Sequence, residues 1–213
     1  MVASLTDLAN QALRHLGAER ITNIAATDSN AVTLNEAWPI TRDGVLRDFD
    51  WACATKRAQL AELSVTNISE YDYVYQRPTD CLRMIVLIGE SGSKYTKLPK
   101  QKYEAEGAYI YTDLSPAYLA YVWRQTDVTQ FDSTLLEALA LKLAADTAMV
   151  ITSNEGLHQR LLAEYTAWLM KAEGTDAQES REAARMTSPW GFDSPIGDVS
   201  PGLSESFVPR IPS

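Results

Sequence analysis

Helix breakers divide this chain before any other feature does. Five of the nine prolines, with three glycines and six serines, crowd into the last 27 residues, TSPWGFDSPIGDVSPGLSESFVPRIPS. A proline fixes φ and removes a backbone donor, so neither a helix nor a central strand runs through such a stretch. Residues 187–213 therefore do not make a domain, and alone in water a segment of this composition cannot bury enough apolar surface to order itself. Yet Trp190, Phe192, Ile196, Val199, Leu203, Phe207, Val208 and Ile211 are spaced among the breakers. A purely solvating tail has no use for them. We read the segment as an extended docking arm that gains order on a partner's surface. The plainer alternative is a linker or a loose end.

The rest of the chain is long enough for one domain, or one domain with a smaller one embedded in it, and 46% apolar residues supply a core. A formal net charge of -9 argues against gripping DNA by phosphate neutralisation, which needs a basic face. It leaves open a protein that surrounds DNA without holding it. The opening stretch MVASLTDLANQALRHLG is amphipathic and carries charges, unlike a signal peptide. The sequence has no apolar run of about 18 residues, so no membrane span is expected. Cys53 and Cys81 are far apart in sequence, and two buried thiols are expected in a reducing cytoplasm; a disulfide is the less favoured alternative.

Periodicity then assigns the elements. Ser4 or Thr6 caps a first helix ending near Leu16, with Leu5, Leu8, Ala9, Ala12, Leu13 and Leu16 on one face and Gly17 as the stop. Asp28 or Ser29 caps a second, from about Asn30 to Phe49, in which Pro39 is expected to kink or split the helix. From Trp51 to Thr126 short aromatic and apolar runs alternate with turn residues. The spacing predicts strands at Ala54 to Ala61, Tyr71 to Gln76, Leu82 to Ile88, Tyr95 to Leu98, Ala108 to Thr112 and Tyr118 to Gln125, forming a small antiparallel sheet or barrel. Asp132 or Ser133 caps a third helix, Leu135 to about Ile151, and Asn154 caps a fourth with Leu157, Leu161, Tyr165, Trp168, Leu169 and Ala172 as its stripe. The fold class expected is α+β: an antiparallel bundle of two N-terminal and two C-terminal helices, an inserted antiparallel β domain and an extended arm. The divisions are residues 1–50, 51–126, 127–186 and 187–213.

The search for chemistry is brief. Neither phosphate-loop pattern nor a G-x-S-x-G elbow occurs. His15, at the end of the first helix, favours that helix's C-terminal dipole, and His158 is expected on the exposed side of the fourth. Neither has a carboxylate or cysteine at ligand spacing, so no metal or cofactor is expected. Acids are plentiful enough that a glycosidase pair is conceivable, but acids decorate every solvated face. Asp80 is expected to bond nearby backbone amides in its turn. Arg42, Arg47, Lys56 and Arg57 form a modest basic cluster, expected to pair with the abundant acids, with a nucleic-acid or partner contact as the weaker alternative. The small residues Ala140, Ala144 and Ala148 offer a strip for subunit contacts, unless they are internal.

Several strings, taken in order, carry a resemblance. They are Leu16-Gly17-Ala18 with Ile21-Thr22; Trp51 followed by Ala54-Thr55-Lys56-Arg57; Tyr73-Val74-Tyr75-Gln76, Pro78 and Asp80-Cys81-Leu82-Arg83; Phe131-Asp132 leading into Glu137-Ala138-Leu139-Ala140; and Tyr165 with Lys171-Ala172-Glu173 and Asp176-Ala177-Gln178. From about Leu5 to Arg185 the chain resembles the tail tubular protein A family of tailed bacteriophages, the head-to-tail adaptors beneath the portal. The resemblance implies a helical bundle with a β domain, and a ring of about twelve copies. It implies a portal protein on one side, a tail nozzle or tube protein on the other, and a C-terminal segment reaching the portal. It implies no catalytic residue.

The function expected is therefore that of a structural virion protein and not an enzyme, made in the host cytoplasm and kept in the tail neck. Double-stranded DNA would pass through its ring without specific binding. A phage-associated cell-wall glycosidase and a soluble assembly adaptor absent from the virion are the rivals.

Overall fold

The structure, a computed structural model, describes residues 4–64, 69–89 and 102–186. The docking-arm residues, the strand expected at Tyr95 to Leu98 and the turn expected at 90–93 lie outside the described residues. The chain divides into two units, residues 1–174 and 175–213. Every side-chain contact below lies within the first; the described part of the second is helical backbone.

The fold is α+β, with four α-helices and two small antiparallel sheets among the described residues. Each helix starts at a side chain able to accept from the free amides of a first turn. Helix α1 (Leu5–Leu16) is capped by Ser4, whose side chain accepts from the Asp7 amide, and ends at Gly17 with φ 67°, a left-handed turn suited to glycine. Helix α2 (Ser29–Asp48) is capped by Asp28 and runs through Pro39 unbroken. The expected split does not occur, for a local reason. Pro39 and Asn35, whose carbonyl loses its donor, are both exposed, which leaves that carbonyl open to solvent.

The β region opens with a single 3-10 turn, Ala52–Ala54, and continues as β1 (Thr55–Gln59), β2 (Tyr73–Gln76), β3 (Cys81–Gly89), β4 (Tyr103–Glu106), β5 (Tyr109–Thr112) and β6 (Ala117–Trp123). One sheet has the order β1-β6-β3 and the other β2-β5-β4. Residues 60–63 tie them: the Leu60 amide donates to Ala117 O (2.9 Å) in the first, and the Leu63 amide to Val74 O (2.8 Å) in the second. Strand β4 is absent from the sequence expectation. It pairs with β5 through a tight turn at Gly107, φ 57°, a conformation that favours glycine.

Helix α3 (Ser133–Thr152) is capped by Asp132, and α4 (Glu155–Met186) follows after Asn154, which accepts from the Leu157 amide at 3.0 Å. Helices α1 and α2 both pack on α3. Leu8, Leu13, Leu34, Leu46, Leu135, Leu139, Leu143 and Leu161 form the centre of this core. Full burial of each contributes about 1.5–3 kcal/mol. Polar side chains stitch its elements together. Asn10 bonds both backbone groups of Ile21, each at 2.9 Å, fixing the loop after α1. Thr41 on α2 donates to Asp146 on α3 at 2.8 Å. Tyr165 on α4 donates to Asp48 at 2.7 Å, and Trp168 to the Thr134 carbonyl at 3.0 Å.

Strand β6 belongs to both cores because its side chains alternate. Leu119 and Tyr121 join Tyr75, Leu87 and Ile110 in a second cluster between the sheets, while Val122, with Leu82 of β3, joins the helical one. The β region is thus anchored in the helical core rather than attached by a linker.

Candidate functional site

Of the residues expected to carry function, the eight of the arm lie outside the described residues. The alanine strip is a correction. Ala140, Ala144 and Ala148 are all 0% exposed and sit inside the chain's own helical core. Small side chains let helices approach closely, and here the helices that approach are the chain's own. These three alanines present no surface to a neighbour.

The exposed apolar side chains on the helices lie elsewhere: Ile40 (80% exposed), Val150 (70%) and Met170 (66%), with Val32 and Met149 less so. A scattering of exposed apolar residues is ordinary on a protein surface.

The basic cluster resolves into separate structural roles. Arg42 reaches Asp43 with Nε (2.9 Å) and Nη2 (2.7 Å), and Asp43 also accepts from Arg124 Nε at 2.8 Å. Arg47 donates to the Leu82 carbonyl (2.9 Å), joining α2 to β3. Arg83 meets Asp50 at 2.5 Å. Lys56 lies 3.2 Å from Asp80 and 3.3 Å over the Trp123 ring, while Arg57 is exposed. Pairing with acids accounts for Arg42, through its neighbour Asp43, and for Lys56, through Asp80, as expected, while Arg47 bonds a backbone carbonyl of β3 instead.

Asp80 departs from expectation. Its carboxylate accepts from Tyr121 Oη at 3.1 Å and pairs with Lys56, so it binds two strands of the sheet instead of its own turn. Burial, and then the bond to Asp80, push the Tyr121 hydroxyl up to about 12. Tyr165 is raised further, by burial first and then by its bond to Asp48, because losing that proton would set two negative charges side by side.

Both cysteines are free thiols. Cys81 is buried; Cys53 is half-buried, with Sγ 3.6 Å from Asp132 Oδ2. Desolvation raises both thiols, which disfavours the reactive thiolate. His158 is half-buried rather than exposed: its Nδ1 donates to the Ala145 carbonyl at 2.8 Å, tying α4 to α3. His15 Nε2 lies 3.2 Å from Glu137 Oε1 on α3, and Glu137 Oε2 accepts from Gln11.

Two open grooves flank the loop between α1 and α2, of about 340 and 630 Å³, and share Arg20. Glu19 and Asp28 line the smaller; Asp7, Gln11 and Arg14 line the larger. Both are shallow and mixed in charge. Among the described residues there is no group of three metal-ligating side chains and no helix long and apolar enough to cross a membrane. No family model matches the chain, and no curated protein matches it.

Proposed function

We propose that this chain is a head-to-tail adaptor subunit of a tailed bacteriophage. Copies of it form a ring beneath the portal, link capsid to tail and continue the channel through which double-stranded DNA passes. The observation that carries the reading is the ordered set of strings from Leu16-Gly17-Ala18 to Asp176-Ala177-Gln178, spread over helices and β region alike.

Three further features support it. The four helices read as an antiparallel bundle. Helix α3 is bonded to α4 at Thr134, near its start, with Trp168 and further along at Ala145 with His158, the reversed order expected of antiparallel neighbours. The acidity suits a conduit. About twelve copies at -9 each carry roughly -108 in formal charge, and a channel sharing that charge repels phosphates, so the genome does not adhere in transit. The arm, 187–213, is composed to order only on a partner. Such a segment buries much surface on binding while the free subunit stays monomeric. In this reading the arm's Trp190, Phe192 and the six apolar residues after them dock on the portal, and the opposite face of the ring receives the tail nozzle or tube protein.

The test is co-sedimentation with the cognate portal ring, comparing the full chain with one ending at Met186. Binding by the full chain alone supports both the adaptor and the arm. Equal binding keeps the adaptor and assigns the arm to neighbours or to the next tail component. Binding by neither removes the adaptor reading.

A further inference from the structure

We draw no further inference here: the strongest candidate, the exposed apolar side chains Ile40 on α2 and Met149 and Val150 on α3, carries nothing because no feature of the structure shows what covers them.

Discussion

Tyr121 shows how a single side chain here joins distant parts of the chain. It is 4% exposed, packs in the cluster between the two sheets, and donates a hydrogen bond to an aspartate 41 residues earlier. Its folded value of about 12 stands above the ordinary 10.0. A tyrosine raised by folding holds its proton more tightly in the native state than in the unfolded one. The stability it contributes is therefore intact below about pH 10 and is lost as pH rises toward 12. We expect denaturant titrations of the native chain to show stability falling between those values. The Tyr121→Phe variant should fall less steeply over the same window; an identical slope would mean that Tyr121 does not carry the effect. Asp80 was legible in the sequence as a turn residue, but its bond to Tyr121 was not. Turn chemistry explains how an aspartate bonds its own turn, whereas a bond across the sheet depends on β1, β3 and β6 being brought together.

At the scale of elements, the starts of all four helices were legible in the sequence. Ser4, Asp28, Asp132 and Asn154 act on amides three residues away, so local order alone reveals them. Strand β4 was not legible. Tyr103-Glu104-Ala105-Glu106 is short and exposed throughout, so it lacks the buried face that marks a strand, and Ala108 looked like the start of β5 rather than part of a turn. Pro39 does not split α2, because a proline breaks a helix only where the freed carbonyl finds no substitute. Pro39→Ala should restore the bond to Asn35 and raise stability. Alanine is favoured by about 3 kcal/mol inside a helix, less about 1 kcal/mol of lost restriction on the unfolded chain, a net gain of about 2 kcal/mol by chemical denaturation. A loss of stability would show that the proline's geometry is required by the packing of Trp38 beside it. The alanine strip poses a different question, since small residues at close spacing say that a helix approaches but not whose. Ala144→Leu inserts three carbons into a fully buried position and should lower the thermal stability of the isolated subunit, at a cost of about 1–3 kcal/mol. Unchanged stability with impaired assembly would instead return Ala144 to a subunit interface.

For the whole molecule, α+β architecture followed from periodicity: helical spacing at both ends, strand spacing between. The partition into two sheets did not follow. It depends on residues 60–63 crossing from one sheet to the other and on β6 dividing its side chains between two cores, and neither is a property of any one window of sequence. The long-range ties Arg124–Asp43, Arg83–Asp50 and Arg47 to Leu82 O, with Leu82 and Val122 in the helical core, make unit 1 a single structural piece. Under the proposed function the adaptor would stay in the particle after assembly, unlike a transient assembly factor or an enzyme needed in few copies. The decisive measurement is the abundance of this chain in purified virions, counted against the portal protein by quantitative mass spectrometry. The account predicts a fixed ratio close to one adaptor per portal subunit, about twelve chains in each particle. Absence from the particle, or a few copies varying between preparations, would contradict it.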